Sequence, residues 1–287
     1  MNIHFFFYKT IFSILLIINI IIFIENLQNP KVRKSNDIFS KHKLYIEAHR
    51  GFNKEIFENT MESFQKAIDL EIDSIESDVW LTKDNELVLL HANSRSGSLS
   101  NYYDHEGNVI ELTWDELSKY KTIKNNLTMP RLSDLMKIAK NKIYINLEIK
   151  DKRIDVVFPH LIKLIEKYDF FDQILISSPF FEYYSKVLEY NIKYGKKLVF
   201  GFIYDKNSID TFDYSKKGNT LNIYWGDATK EVCRKAHENG MAIIAWIDIF
   251  EEDTIDIYNQ LIENKVDVIC CNRPNMLQAY LKKHHIY

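Results

Sequence analysis

The stretch that decides the fold reads YIEAHRGFNKEIFENTMESF, from Tyr45 to Phe64. It begins as an apolar, strand-like run that ends in the tripeptide HRG at 49–51, crosses a short loop, and enters a helix near residue 59. A strand followed closely by a helix is the repeating unit of α/β proteins. The stretch therefore predicts an α/β fold, and it raises the question of why a histidine and an arginine stand where the first strand ends.

The same alternation continues along the chain. Helix-period segments separate most of the strand-like runs, for example at 154–168, 180–192 and 229–239. Eight such runs, with no glycine-rich dinucleotide fingerprint, favour a closed (β/α)8 TIM barrel over an open doubly wound sheet. The predicted barrel strands are 44–49, 74–79, 143–149, 173–177, 197–203, 221–225, 241–247 and 267–271.

One connection is longer than the others. The run 87–91 follows a turn signal and is predicted to pair back on strand 74–79 as a hairpin. After it, residues 92–130 are rich in Ser, Asn and Tyr, with one short helical candidate at 114–120. Because over-long connections in compact domains are usually functional, we expect this insert to cover the active-site face of the barrel.

The amino-terminal end differs from the rest. Residues 5–24 are almost entirely apolar, with Lys9 as the only charge, which is typical of a membrane-spanning helix or a signal-peptide core. We therefore expect a transmembrane signal anchor or signal peptide at 1–24, a polar linker at 25–43 and the barrel at 44–287. The expected location is a membrane with a single-pass anchor, or a secreted or periplasmic domain if the segment is cleaved.

Charge and cysteine content exclude some classes of protein. The net charge of -3 forces no strongly basic face, so nucleic acid is not an expected partner. The three cysteines, Cys233, Cys270 and Cys271, form neither a disulfide framework nor a zinc pattern. They are interpreted as small buried residues.

Polar residues stand at the carboxyl ends of the first predicted strands, where barrel enzymes place their active sites. Residues two apart on a strand point to the same side, so Glu76 shares a face with Asp78, and Glu148 shares a face with Lys150. Any one of these residues has a structural explanation, such as a core histidine or a simple ion pair, but their convergence on one end favours function. They are His49, Arg50, Glu76, Asp78, His91, Glu148 and Lys150.

The chemistry of this set is consistent with cleavage of a phosphodiester. Three carboxylates without a cysteine cluster suit Mg²⁺ or Ca²⁺ as a divalent cation. Arginine and lysine bind phosphate oxygens, and two histidines can serve as general base and general acid. Phosphodiester hydrolysis uses all seven side chains.

Taken in order, the motifs resemble those of the glycerophosphodiester phosphodiesterase family. Each motif is short, but together they span nearly the whole soluble part. They are HRG at 49–51, ENT at 58–60, IESDVWLTKDNELVLLH at 75–91, NLEIK at 146–150, AWID at 245–248 and DVICCNRP at 267–274.

The resemblance implies a TIM barrel that uses a divalent cation, Mg²⁺ or Ca²⁺, to hydrolyse glycerophosphodiesters to an alcohol and glycerol 3-phosphate. The implied partner is a small-molecule glycerophosphodiester or lysophospholipid. The apolar amino-terminal helix, which is not part of the resemblance, predicts a membrane as a second partner. The implied catalytic acid/base pair is His49 and His91. The implied metal ligands are Glu76, Asp78 and Glu148, and the implied substrate-binding residues are Arg50, Glu58, Lys150 and Trp246.

The chain departs from the family pattern at two positions. Phe57 stands where the family commonly has proline, and Ala92 follows the second histidine where the family usually has aspartate. If that aspartate orients the imidazole, His91 is either held less well in this chain or oriented by Asn93 instead. Asn59, with Glu62 three residues later, is predicted to cap the following helix.

Two alternative functions stay open from the sequence. The first is a lysophospholipase D or a sphingomyelinase D-like lipid phosphodiesterase, which would share the barrel and the paired histidines. The second is a catalytically inactive barrel acting as a membrane-anchored binding module, for which Ala92 is the main support. The presence of every residue that the chemistry needs counts against an inactive barrel.

Overall fold

Eight parallel strands close into a barrel, which confirms the predicted fold class. The computed structural model describes residues 44–92, 96–216 and 218–286. The strands of this part of the chain are β1 (Tyr45–Ala48), β2 (Ser74–Leu81), β3 (Leu87–Leu89), β4 (Tyr144–Ile149), β5 (Ile174–Ser178), β6 (Val199–Ile203), β7 (Thr220–Tyr224), β8 (Ala242–Trp246) and β9 (Val268–Cys271).

Hydrogen bonding between neighbouring strands runs once around the barrel. All strands except β3 are parallel, in the order β1-β2-β4-β5-β6-β7-β8-β9. The barrel closes where β9 returns to β1, with Cys270 opposite Glu47. Parallel strands place all their carboxyl ends at the same edge, so residues that follow them gather at one end of the barrel.

Helices surround the barrel. Threonine side chains cap four of them, because each accepts a hydrogen bond from the backbone N–H three residues later; they are Thr60, Thr113, Thr229 and Thr254. The helices of the described residues are α1 (Met61–Asp69), α2 (Trp114–Leu117), α3 (Leu132–Ala139), α4 (Ile154–Tyr168), α5 (Glu182–Tyr194), α6 (Lys230–Glu238), α7 (Ile255–Glu263) and α8 (Pro274–Lys283).

The predicted hairpin is present. Strand β3 pairs antiparallel with β2, with Leu89 opposite Val79, and Asn85 adopts the left-handed conformation that the tight turn needs. The chain then continues alongside β2, where the N–H of Leu90 donates to the carbonyl of Asp78 at 3.0 Å. The hairpin thereby returns His91 to the end of the barrel that carries the other strand-end residues.

The barrel interior changes from apolar to polar along its axis. Apolar side chains, among them Tyr45, Val199 and Val268, fill one end. Above them lies a buried hydrogen-bonded chain: Ser177 Oγ donates to Asn146 Oδ1 at 2.8 Å, and Asn146 Nδ2 donates to Glu47 Oε1 at 3.0 Å. The outer faces of the strands pack against the helices in the main hydrophobic core.

The insert has a hydrophobic core of its own. Buried residues of the insert pack with outward-facing residues of the hairpin, and this insert cluster is separate from the main core. Its buried members are Trp80, Val88, Leu90, Ala92, Leu99, Tyr102, Tyr103, Val109, Leu117 and Met129. The insert is therefore a packed structure and not an open loop.

The predicted anchor or signal peptide at 1–24 and the linker at 25–43 lie outside the described residues, so both stay predictions. Within the described residues, none of the helices has the length and apolar character needed to cross a bilayer.

Candidate active site

The strand-end residues surround a cavity of about 280 Å³ at the carboxyl end of the barrel. Asp78 and Glu58 do not line the cavity, but both contact Arg50, which does; Asp78 is fully buried. The other predicted site residues line the cavity, and they are His49, Arg50, Glu76, His91, Glu148, Lys150 and Trp246.

The first histidine is held in one tautomer. His49 Nδ1 lies 2.8 Å from the carbonyl oxygen of Ile247. Because a carbonyl can only accept, Nδ1 carries the hydrogen and a neutral ring leaves Nε2 with a free lone pair. Burial, reinforced by the charge of Arg50, lowers the pKa of His49 to about 3. At neutral pH His49 is therefore an uncharged imidazole.

The second histidine contacts the insert. His91 Nδ1 lies 3.1 Å from the hydroxyl oxygen of Tyr102. Burial lowers the pKa of His91 and raises the pKa of Tyr102 to about 12, so both groups are uncharged at neutral pH. Tyr102 thus supplies a polar contact to His91 Nδ1, which the apolar side chain of Ala92 cannot make. The only signal for it in the sequence was the tyrosine-rich composition of the insert.

Three carboxylates lie close together, and two of them, Glu76 and Glu148, line the cavity. Glu76, Asp78 and Glu148 each offer an oxygen, and these oxygens lie within 4.8 Å of one another. Burial, together with the charges of Asp78 and Glu148, raises the pKa of Glu76 well above its ordinary value. Burial would raise the pKa of Asp78 as well, but His91, Lys150 and Arg50 outweigh it and hold that pKa low.

Two oxygens of this cluster suit a bound cation. Within the part of the chain that the structure describes, Glu76 Oε1 and Asp78 Oδ1 are buried and have no hydrogen-bond partner. A buried acceptor without a partner is costly, and a cation ligated there would remove that cost. All three carboxylates supply oxygen ligands, the type that Mg²⁺ and Ca²⁺ prefer. The residues therefore fit a hard divalent cation.

Two cations stand beside the carboxylates. Lys150 Nζ lies 2.5 Å from Glu148 Oε1 and 3.4 Å from Asp78 Oδ1. Arg50 donates from Nη1 to Glu58 Oε1 at 2.8 Å, so Glu58 fixes the guanidinium. Burial disfavours both charges, but the surrounding carboxylates outweigh it and raise the pKa of both groups. Both therefore stay positive and can bind phosphate oxygens.

The backbone after β1 explains the HRG tripeptide. Arg50 has φ 55°, and its N–H donates to Glu76 Oε2 at 3.0 Å. Gly51 has φ 81°, and a Cβ at that position would collide with the side chain of Ser63. The glycine thus permits the turn that aims both the side chain and the N–H of Arg50 at the carboxylates.

Asn59 has a different role from the predicted helix cap. Its Nδ2 donates to Asp78 Oδ2 at 2.9 Å, and its Oδ1 accepts from Ser77 Oγ at 2.7 Å. The capping residue of α1 is Thr60, which forms a capping box with Ser63. Asn59 therefore belongs to the site, because it binds a carboxylate of the cluster. The prediction that it caps the following helix was wrong.

Part of the cavity wall is aromatic. Trp246 at the end of β8 is half-buried and lines the cavity, and its ring centroid lies 5.3 Å from that of Tyr224. Its indole Nε1 is buried and has no hydrogen-bond partner within the described residues. The ring therefore contributes apolar surface to the cavity, while its Nε1 is turned away from solvent.

Comparison with known proteins agrees with this geometry. Residues 49–276 match the model of the Glycerophosphoryl diester phosphodiesterase family. The chain is 28% identical over 254 residues to a glycerophosphodiester phosphodiesterase of Caldanaerobacter subterraneus subsp. tengcongensis, covering 84% of this chain and 99% of the relative.

Solved structures share the fold. A phosphodiesterase of Oleispira antarctica, in complex with sn-glycerol-3-phosphate, superimposes with a TM-score of 0.70 at 19% identity, covering 83% of this chain and 96% of the other. A glycerophosphodiester phosphodiesterase of Thermotoga maritima gives 0.65 at 20% identity, with 83% and 99% covered. The predicted resemblance and the predicted enzyme class are confirmed. The chain belongs to the glycerophosphoryl diester phosphodiesterase family and is a phosphodiesterase of that family.

Proposed function

We propose that the protein hydrolyses glycerophosphodiesters to an alcohol and glycerol 3-phosphate, with a divalent cation held by Glu76, Asp78 and Glu148. The observation that carries the proposal is a pair of buried carboxylate oxygens, Glu76 Oε1 and Asp78 Oδ1, that have no hydrogen-bond partner within the described residues, although Asp78 Oδ1 also lies 3.4 Å from Lys150 Nζ. The curated relative at 28% identity, whose name is glycerophosphodiester phosphodiesterase, supports the substrate class.

The carboxylates, Arg50 and Lys150 have different roles in binding the phosphodiester. A divalent cation bound by the carboxylates would polarise a phosphoryl oxygen. Arg50 offers a planar fork to phosphate oxygens, whereas Lys150 acts as a point charge. Glu58 and Asp78 hold the Arg50 guanidinium from both sides, at 2.8 and 3.4 Å, so its orientation does not depend on substrate.

The two histidines present opposite tautomers in this mechanism. His49 exposes a bare Nε2 and can take the proton of the attacking oxygen. A phenol is a better donor than a neutral imidazole, so Tyr102 donates to Nδ1 of His91 and leaves its hydrogen on Nε2. To protonate the leaving alkoxide, His91 must first take up a second proton at Nδ1, and the negative charge of a bound phosphodiester favours that imidazolium. The Tyr102 oxygen then accepts from Nδ1–H, and Nε2 gives its proton to the alkoxide. One proton is accepted and one is given in each turnover.

Removal of divalent cations tests the proposal directly. The full chain, treated with chelator and mixed with glycerophosphocholine, should release no glycerol 3-phosphate by phosphorus NMR, and Mg²⁺ or Ca²⁺ should restore release. A cation held by the three carboxylates would supply several kcal/mol of transition-state stabilisation, so the restored rate should exceed the chelated rate by roughly 10³-fold or more. Equal turnover with and without cation would refute metal dependence.

The same assay separates the alternative functions. Lysophospholipid or sphingomyelin cleavage to a lipid phosphate or a cyclic phosphate would place the protein among the lipid phosphodiesterases. No turnover of any substrate by a folded barrel at any cation concentration would favour the inactive binding module. Release of glycerol 3-phosphate identifies the hydrolase.

Tyr102→Phe tests how His91 is oriented. The phenylalanine ring keeps its packing against Phe57, at a centroid distance of 6.5 Å, but the hydroxyl that contacts Nδ1 is lost. We expect kcat to fall by ~10-fold with little change in KM, because loss of a partner that orients a catalytic imidazole costs about 1 kcal/mol or more. Steady-state kinetics across pH 5–9 measures this.

Tyr103→Phe is the matched control, since Tyr103 is the adjacent buried tyrosine of the same insert cluster. It should retain the parent kcat and pH profile. Equal losses in both variants would show that the insert cluster, and not the hydroxyl on His91, is responsible.

A further inference from the structure

A second group of metal-ligating side chains lies beside the carboxylates, and its chemistry is different. His49, Glu76 and Cys270 each offer one ligand atom, and these atoms lie within 4.8 Å of one another. All three residues are buried, and all three line the cavity. This second set combines an imidazole, a carboxylate and a thiol, whereas the proposed cation site has carboxylate oxygens only.

Strand geometry accounts for the position of the thiol. Cys270 lies in β9 opposite Glu47 of β1 and Trp246 of β8, and it belongs to the cluster inside the barrel. Alternation along the strand sends the side chain of Cys271 outward, where it joins the main core. Of these adjacent cysteines, only Cys270 can reach the site.

The other two ligands are already oriented. The Nδ1–H of His49 donates to a backbone carbonyl, which is how ligating histidines are commonly held, and Nε2 lies 4.0 Å from Glu76 Oε2. Glu76 Oε1 is buried without a partner within the described residues. Tetrahedral zinc sets its ligand atoms roughly 3.3–3.8 Å apart, so side-chain shifts of about 1 Å would complete the site.

We propose that His49, Glu76 and Cys270 form an inhibitory site for a thiophilic divalent ion, Zn²⁺ or Cd²⁺. Thiolate and imidazole ligands favour these ions over Mg²⁺ and Ca²⁺. The ion replaces the thiol proton of Cys270, which leaves to solvent. By binding Nε2 of His49, the ion prevents that nitrogen from accepting a proton. By binding Glu76, it competes with the divalent cation of the carboxylate site.

The inhibition rests on the proposed function, but the binding does not. The full chain is stripped with chelator and titrated with Cd²⁺, and the ultraviolet charge-transfer band of a cadmium–thiolate bond is followed. We expect the band to saturate near one equivalent. Cys270→Ser should abolish the band and weaken Cd²⁺ binding by at least ~10–100-fold. Losing a residue that only orients a metal ligand already costs about that much affinity, and Cys270 would be a ligand itself.

Cys271→Ala is the matched control, because it removes a neighbouring thiol that faces away from the cavity. Its band should equal that of the parent. If Cys270→Ser does not give the parent circular dichroism spectrum, Cys270→Ala replaces it. A band unchanged by both substitutions at Cys270, or no thiolate band in the parent, would overturn the proposal.

The activity assay measures the consequence. Zn²⁺ should inhibit the parent and Cys271→Ala, and rising Mg²⁺ should relieve that inhibition because the two sites share Glu76. Cys270→Ser should retain turnover and resist Zn²⁺. A charge-transfer band in a parent that turns over no substrate would support the metal site and refute the hydrolase, so the two failures are distinguishable.

Discussion

Replacing Glu76 with glutamine is expected to lower kcat/KM for a glycerophosphodiester by at least ~10³-fold, about 4 kcal/mol, while the barrel stays folded. Glu76 is central to the cluster, since its oxygens lie close to Asp78, Glu148 and the N–H of Arg50. Glutamine can still accept from that N–H, but it cannot neutralise a cation. Phosphorus NMR of product release, at saturating Mg²⁺, measures the loss.

The same variant should be more stable than the parent when no cation is present. The pKa of Glu76 is raised in the folded protein, so the protonated form is favoured there. Stability from such a group is complete below the pKa of the unfolded chain and is lost as pH rises through the folded pKa. Glu76→Gln removes that loss, so its melting temperature in chelator should exceed that of the parent at pH 8 and approach it at pH 4.

Glu189→Gln is a suitable control, because Glu189 is exposed on the outer helix α5. It should change neither activity nor the pH dependence of melting. Retention of more than a tenth of the parent activity in Glu76→Gln would contradict the assignment of Glu76 as a cation ligand.

His49→Ala is expected to reduce kcat by ~10²–10⁴-fold, the usual contribution of a general base. The carboxylate cluster is unchanged in this variant, so the calorimetric affinity for Mg²⁺ should stay near the parent value. Since the buried ring has a pKa of about 3, its neutral form persists well below pH 6.5. A kcat within tenfold of the parent would remove His49 from the proton transfer.

The stability of His49→Ala should also differ in its pH dependence. A histidine with a lowered pKa stays neutral in the folded chain while the unfolded chain takes up a proton, so the parent loses stability as pH falls from about 6.5 toward 3. In chelator, that loss should be smaller in His49→Ala. His160→Ala, a substitution on the outer helix α4, is expected to keep the parent slope and serves as the control.

The sequence predicts the barrel because period-2 and period-3.6 patterns are local properties of the chain. It also predicts where Glu76 and Glu148 meet, because parallel strands of a barrel end at the same face. The helix α8 was not predicted, although Pro274 at its first turn is a recognisable start signal.

Contacts between residues far apart in the chain could not be predicted, because the periodicity of a sequence describes only its local structure. The approach of Tyr102 to His91 depends on how a 39-residue insert, 92–130, packs on the hairpin, which no periodicity encodes. The bond from Asn59 to Asp78 joins residues 19 apart, and the identity of Asn59 is equally suited to a helix cap. Asparagine at a helix start is ambiguous until the neighbouring strand is placed.

The separate hydrophobic core of the insert makes part of the site independently variable. The contacts of His49, Arg50 and Lys150 are made by residues of the barrel strands and their short connections. The partner of His91 belongs to a unit that packs mostly on itself and the hairpin. A change inside the insert can therefore alter the contact on His91 with little effect on the packing of the barrel. We expect substitutions in the insert cluster to change activity more than they change the stability of the barrel.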